Sequence, residues 1–129
     1  GKRWPAERYG ELARRLAGRG LVPVVLGTAA EAPLAHTIRG LCPQARDLTG
    51  RTTLLDIAPI AARADIAIGN DTGPMHLAAA LGCRCVVLFS AASDPALTAP
   101  RGPGGSWPVV IRVDDLGNLS VERVASELP

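Results

Sequence analysis

A short polar turn, Asp71-Thr72-Gly73, holds the residue types best suited to bind an anion. It lies between an apolar strand-like run at 64–68 and a predicted helix at 74–81, and a second apolar run follows at 85–89. Strand, turn, helix and strand in this order predict a right-handed βαβ unit. In such a unit, the carboxyl end of the strand meets the N-terminal amides of the helix, and both the free N–H groups and the helix dipole favour an anion. The sequence therefore predicts a phosphate-binding turn.

Each residue of this turn has a functional and a structural interpretation. Thr72 and Gly73 are the best phosphate ligands, because their amides open the helix, the glycine permits close approach and the hydroxyl can donate a hydrogen bond. A helix cap without a ligand is the alternative. Asp71 would be repelled by phosphate, so it either accepts hydrogen bonds from sugar hydroxyls or caps the helix. His76 either faces the diphosphate, braces Asp71 or lies behind the residues that touch the ligand. Without a metal-binding pattern, we expect no metal ion here.

Further candidates lie outside the turn. Glu31 follows a predicted strand and could accept hydrogen bonds from ribose hydroxyls, or it could simply suit the dipole of the next helix. Lys2 is a flexible point charge that could neutralise a departing diphosphate, or it could be a terminal lysine without a function. Ser93 and Asp94 lie in the longest irregular segment, where they would either close over a sugar or serve as ordinary loop residues.

Composition excludes several classes of protein. A length of 129 residues with 47% hydrophobic content predicts one domain with one core, and a net charge of +2 is too small to indicate nucleic-acid binding. The three cysteines form neither a disulfide framework nor a zinc pattern, so structural thiols in a reducing cytoplasm are expected. The sequence has neither an 18-residue apolar run nor a signal peptide, which argues against a membrane span and against secretion by that route.

The hydrophobic pattern alternates between helices and strands. Helices are predicted at 5–17, 32–42, 53–63, 74–81 and, capped by Ser120, up to 128, and strands at 21–26, 45–48, 65–68, 85–89 and 109–113. This order predicts an α/β doubly wound sheet of about five parallel strands. Pro59 is expected to kink or split the third helix. Since a doubly wound domain normally begins with a strand and none precedes the first helix, we expect a piece of a longer protein.

Several motifs resemble one known family. The sequence at 71–78, D-T-G-P-M-H-L-A, resembles the D-T-G-x-x-H-L-A signature of the ADP-heptose:lipopolysaccharide heptosyltransferases, the ninth glycosyltransferase family. The segment 2–5 resembles the K-x-W-P segment of that family, and 93–95 falls where its T-D-P usually occurs. Gly27 followed by Glu31 resembles the turn that holds the adenosine. The motifs occur in family order, and the resemblance covers almost the whole chain.

The resemblance implies a GT-B glycosyltransferase, in which two Rossmann-like domains face each other. Residues 1–129 would form a single nucleotide-sugar-binding domain, the C-terminal half, which takes ADP-heptose or ADP without a metal cofactor. An N-terminal domain would bind the lipopolysaccharide core acceptor and supply the catalytic base, at the cytoplasmic face of the inner membrane. We expect this chain alone to bind the donor without transferring sugar.

On this hypothesis the candidate residues divide into two groups: Lys2 and Asp71 act in catalysis, whereas Thr72, Gly73, His76 and Glu31 bind the donor. Two alternatives remain at this point. One is another GT-B sugar-nucleotide enzyme, such as a UDP-sugar transferase or epimerase, and the other is a non-enzymatic nucleotide-binding module.

Overall fold

The computed structural model describes residues 3–70, 72–90, 99–105 and 107–128. Four candidates from the sequence, Lys2, Asp71, Ser93 and Asp94, lie outside the described residues. The helices are α1 (Ala6–Gly18), α2 (Ala32–Leu41), α3 (Leu54–Arg63), α4 (Gly73–Ala80) and α5 (Val121–Ala125). The strands are β1 (Val24–Val25), β2 (Arg46–Asp47), β3 (Ala67–Asn70), β4 (Cys85–Phe89) and β5 (Val109–Arg112). Short 3₁₀ turns occur at Ala29–Glu31, Pro103–Gly105 and Leu116–Asn118. The predicted alternation of helices and strands is confirmed.

Local capping explains where several helices begin and end. The predicted cap at Ser120 is confirmed, since its hydroxyl accepts a hydrogen bond from the Arg123 amide at 3.2 Å. The Thr53 hydroxyl accepts one from the Asp56 amide at 3.3 Å in the same way. After α4, Gly82 has a φ of +85°, a left-handed conformation that glycine adopts without steric cost.

Pro59 does not split α3, which runs unbroken through it. A proline removes one hydrogen bond to the carbonyl four residues earlier, here that of Leu55. Both residues are exposed, and the Leu55 side chain retains 86% of its accessible surface. Water can therefore reach the carbonyl that lost its partner, and of the two expected outcomes the split does not occur.

Each strand pairing is parallel, but the five described strands form two sheets rather than one. The first sheet pairs β1 with β2, and the second has the order β3-β4-β5. In the second sheet Asn70 lies opposite Leu88, which lies opposite Ile111. The predicted strand at 21–26 shortens to two residues, whose ladder runs only towards β2. Side chains join the sheets instead: Tyr9 of α1 packs against both the cluster around Leu88 and a smaller cluster beside β1.

Strand β4 forms the centre of the core, and all five of its residues are buried. Val86 and Leu88 face one hydrophobic cluster, which includes residues of α1 and α5. Val87 and Phe89 face another, which includes residues of α3 and α4. Alternate side chains of a strand point to opposite faces. Helices therefore cover both faces of the sheet, as the doubly wound prediction requires.

Candidate functional site

The predicted anion-binding turn lies at the carboxyl end of β3. The strand ends at Asn70 and α4 begins at Gly73. Thr72 is the N-cap residue, with an extended backbone at φ −139° and ψ 165°. Its side chain is exposed and makes no capping hydrogen bond within the described part of the chain. The Thr72 hydroxyl thus lies at the helix start without serving as a cap.

The first turn of α4 presents backbone donors. Pro74 occupies the second helical position, one residue later than predicted, and contributes no N–H. The amides of Gly73 and Met75 belong to the first turn, whose N–H groups have no carbonyl partner inside the helix. The His76 amide donates to the Thr72 carbonyl at 3.0 Å, and the His76 side chain is exposed. Met75 is buried and anchors this turn to the core.

The side-chain amide of Asn70, which the sequence did not single out, holds the end of β3 by donating one hydrogen bond and accepting another. Asn70 Nδ2 donates to the Leu88 carbonyl at 3.2 Å. Asn70 Oδ1 accepts from the Tyr9 hydroxyl at 3.4 Å. Burial raises the pKa of Tyr9 well above its usual value, so the phenol remains a neutral donor. These two residues are 61 positions apart in the chain, and neither hydrophobic period nor motif signals such a pair.

Glu31 ends the 3₁₀ turn that follows β1, and local contacts position its carboxylate. Oε1 accepts hydrogen bonds from the Thr28 amide at 3.1 Å and from the Thr28 hydroxyl at 3.3 Å. A Cβ atom placed on Gly27 would lie 3.0 Å from Glu31 Oε2, so the glycine makes room for the carboxylate. Thr28 was missed in the sequence, although Thr-x-x-Glu is the pattern of a capping box.

The turn after β2 packs against the turn after β1. The Gly50 amide donates to the Gly27 carbonyl at 2.8 Å. Gly50 has a φ of +70°, and a Cβ there would lie 3.1 Å from the Ala29 Cα. Nearby in sequence, the Thr52 hydroxyl oxygen is buried and has no hydrogen-bond partner among the described residues. Two turns from neighbouring strands therefore form one edge beside Glu31.

The candidate residues occupy two places that share one hydrophobic cluster. Thr72, Gly73 and His76 lie within the first turn of α4. Glu31 lies at the edge of the other sheet, beyond Leu26, which packs against the same cluster that buries Met75. Among the described residues, the candidates for the phosphate and for the ribose are thus connected through the hydrophobic core.

Neither metal nor thiol chemistry is supported by the described residues. They contain no group of three or more His, Cys, Asp or Glu side chains arranged to hold a metal ion. Burial raises the pKa of the Cys85 thiol to about 11 and also raises that of Cys83. Burial therefore disfavours the thiolate, the nucleophilic form, at both cysteines. A helix long and apolar enough to cross a bilayer is also absent from the part of the chain described.

Comparison with known proteins identifies the family. The model of glycosyltransferase family 9 (heptosyltransferase) matches residues 1–111. The chain belongs to glycosyltransferase family 9. Lipopolysaccharide heptosyltransferase 2 of Escherichia coli K12 is 36% identical over 104 residues, which cover 77% of this chain and 30% of that protein. Lipooligosaccharide heptosyltransferase 2 of Haemophilus influenzae is 32% identical over 104 residues, with the same coverage.

Solved structures of family 9 members share the fold. The E. coli ADP-heptose lps heptosyltransferase II matches with a TM-score of 0.85 and 29% identity, over 98% of this chain and 40% of that one. The E. coli heptosyltransferase WaaC with ADP matches with a TM-score of 0.81 and 26% identity, over 97% and 38%. This chain thus spans about 30–40% of the length of these relatives. The resemblance and the Rossmann-like fold of a GT-B glycosyltransferase are confirmed.

Proposed function

We propose that this chain is the donor-binding domain of a heptosyltransferase, which transfers heptose from ADP-heptose to the inner core of lipopolysaccharide. The observation that carries the proposal is the turn between β3 and α4 in a chain of glycosyltransferase family 9. That turn places the exposed Thr72 and the first-turn amides of Gly73 and Met75 at a sheet edge where doubly wound folds bind phosphorylated ligands.

In this proposal the diphosphate of the donor binds to the first turn of α4. The helix-start amides and the Thr72 hydroxyl donate hydrogen bonds to it, and the exposed His76 imidazole contacts it from the same turn. Preorganised donors of this kind also stabilise a diphosphate that departs with negative charge. Lys2 adds a positive charge for the same purpose, a role that rests on the family motif.

In this proposal, carboxylates rather than backbone amides bind the hydroxyl groups of the sugar and of the ribose. Asp71 accepts hydrogen bonds from hydroxyls of the transferred sugar, a role that again rests on the family motif. Glu31 accepts hydrogen bonds from the ribose hydroxyls. This role is supported by the position of its carboxylate, which the Thr28 amide holds in the turn after β1. A carboxylate is an acceptor that suits a hydroxyl and repels a phosphate. Glu31 therefore suits the nucleoside end of the donor and not its diphosphate end.

The remaining parts of the reaction belong to a second domain in this proposal. Residues 1–129 act as one nucleotide-sugar-binding domain, the C-terminal half of a GT-B enzyme that uses no metal. The N-terminal half binds the lipopolysaccharide acceptor and supplies the catalytic base, on the cytoplasmic side of the inner membrane. This division into two domains is supported by the length of the match, because the chain spans only 30–40% of the length of the relatives that carry the heptosyltransferase name.

Calorimetric titration of the complete protein with ADP and, in parallel, UDP tests the proposal. ADP is expected to bind, and Thr72→Val should weaken that binding about tenfold, because a hydrogen bond to a charged group contributes roughly 1.5 kcal/mol or more. Thr37→Val is the matched control, since among the described residues the Thr37 hydroxyl donates only to the Pro33 carbonyl within α2. Tighter binding of UDP, or no binding of either nucleotide, would contradict an ADP-heptose donor site.

A second titration separates the sugar contact from the phosphate contact. Asp71→Ala should weaken ADP-heptose binding more than ADP binding, because its proposed partner is present only in the sugar nucleotide. Thr72→Val should weaken both ligands by similar factors. Equal losses for both ligands in Asp71→Ala would show that Asp71 only shapes the turn.

A further inference from the structure

The two oxygens of the Glu31 carboxylate have different surroundings. Oε1 accepts two hydrogen bonds from a single residue, the Thr28 amide at 3.1 Å and the Thr28 hydroxyl at 3.3 Å. Oε2 accepts none from the described residues and lies over the Gly27 backbone, 3.0 Å from where a Cβ would stand. Each carboxylate oxygen has two lone pairs, so the protein uses those of Oε1 and leaves those of Oε2 for another donor.

We propose that Thr28 is a positioning residue, which holds Glu31 so that Oε2 accepts a hydrogen bond from the 2′-hydroxyl of the donor ribose. The inference rests on the proposed function. A glutamate side chain has three rotatable torsions, and a carboxylate fixed before the ligand arrives loses less entropy on binding. Thr28 and Gly27 each position one oxygen of the carboxylate: the threonine donates hydrogen bonds to Oε1, and the glycine has no side chain that would crowd Oε2. The site then distinguishes ribonucleotides from deoxyribonucleotides.

A second pair in the chain has the same chemistry at a different place. Asp56 Oδ2 accepts hydrogen bonds from the Thr53 amide at 2.8 Å and from the Thr53 hydroxyl at 3.0 Å. This pair caps α3, and the proposed function assigns it no ligand. Because both threonines hold a carboxylate three residues later, Thr53→Val removes the same kind of hydroxyl–carboxylate hydrogen bond without touching Glu31. A purely capping role for Thr28 predicts the same behaviour for both variants.

The test compares the affinities of the complete protein for ADP and 2′-deoxy-ADP by calorimetry. The unaltered protein should bind ADP about tenfold more tightly, the difference made by one hydrogen bond to a charged group. Thr28→Val should reduce this ratio to about threefold, Glu31→Ala should abolish it, and Thr28→Ser should restore it. Gly27→Ala, which crowds Oε2 instead of releasing Oε1, should also reduce it. Thr53→Val should lower Tm at least as much as Thr28→Val, because it also removes the cap on the Asp56 amide, and it should leave the ratio unchanged.

The outcomes separate the inference from the proposed function. A ratio that survives in Thr28→Val but is lost in Glu31→Ala would overturn the positioning role and leave donor binding intact. Tight ADP binding without any preference over 2′-deoxy-ADP would likewise overturn the inference alone. Failure of the unaltered protein to bind ADP would instead refute the proposed function, and the inference with it. A preference reduced in Thr28→Val and Gly27→Ala, but not in Thr53→Val, would establish it.

Discussion

Gly10 of α1 packs tightly against Leu41 of α2, and its substitution by alanine should destabilise the protein. A Cβ at this position would lie 2.7 Å from Leu41 Cδ1 and 3.0 Å from Leu41 Cβ. Rotation of the leucine side chain can move Cδ1 away, but Cβ moves only with the backbone of α2. Relief of the second contact therefore requires the two helices to separate.

The size of the effect follows from two opposing contributions. Replacing glycine by alanine inside a helix stabilises by about 1 kcal/mol, whereas overpacking a tight contact costs about 1–3 kcal/mol. For Gly10→Ala we expect a net loss of roughly 1 kcal/mol in the free energy of unfolding, which corresponds to a fall in Tm of about 4 °C. Gly18→Ala in the same helix is the matched control, because its added Cβ would meet no described atom of another element within 4 Å. That variant should gain about 0.5–1 kcal/mol.

Urea unfolding of four proteins measures the contact itself: the unaltered chain, Gly10→Ala, Leu41→Ala and the double variant. The alanine at position 10 should fit the space that the shortened residue 41 leaves. The double variant is therefore expected to be about 1 kcal/mol more stable than the sum of the single losses predicts. A Gly10→Ala variant as stable as Gly18→Ala, or losses that simply add, would refute the close packing of α1 on α2.

Three further predictions concern titration, reactivity and the strand end before the turn. Hydrogen bonds from the Thr49 hydroxyl and amide hold the pKa of Asp47 below its usual value. The ionised carboxylate therefore stabilises the fold at pH values above the unfolded-state pKa of about 4. This stabilisation is lost as the pH falls through the lower pKa of the folded state. Thermal melting between pH 5 and pH 2 should therefore show a steeper fall of Tm for the unaltered protein than for Asp47→Asn. Burial raises the pKa of the Cys85 thiol to about 11, so this thiol should react with iodoacetamide at pH 7 only after unfolding in urea. Peptide mapping identifies the labelled cysteine, since Cys83 is half-buried, and rapid labelling of Cys85 in the native protein would contradict its burial. Tyr9→Phe removes the donor to Asn70 and should cost about 1 kcal/mol of stability while weakening ADP binding a few-fold, and unchanged values of both would show that the bond is not formed.

Local sequence signals predicted the elements well wherever local contacts decide them. Strand β4 has the predicted bounds, and each predicted helix begins and ends within a few residues of its predicted bounds. The sequence did not decide between a kink and a split at Pro59, because a proline's effect depends on whether water can reach the carbonyl that it leaves without a partner. β1 was overestimated because an apolar run shows burial, whereas strand length depends on partners that lie far away in sequence. The division into two sheets has the same cause.

The candidate site was predictable in part for similar reasons. The turn at the end of β3 was visible because strand, turn and helix are consecutive in the chain, and the family motif covers the same residues. The contact between Tyr9 and Asn70 depends on tertiary packing and had no signal. Thr28 was different, since its pattern with Glu31 was present in the sequence and was overlooked. The ligand roles of all six candidates stay predictions, and two of them, Lys2 and Asp71, lie outside the described residues.

The two halves of the proposed donor site depend on different parts of the protein for their geometry. Glu31 is held by bonds to a residue only three positions away, which require little of the tertiary structure. The first turn of α4 depends on the burial of Met75 and on the bond between Tyr9 and Asn70. Tyr9 is adjacent to Gly10, so a shift of α1 away from α2 also displaces the donor to Asn70. Gly10→Ala should therefore weaken contacts to the diphosphate while leaving the preference for ribose unchanged. Loss of that preference in Gly10→Ala would show instead that the two halves move as one unit.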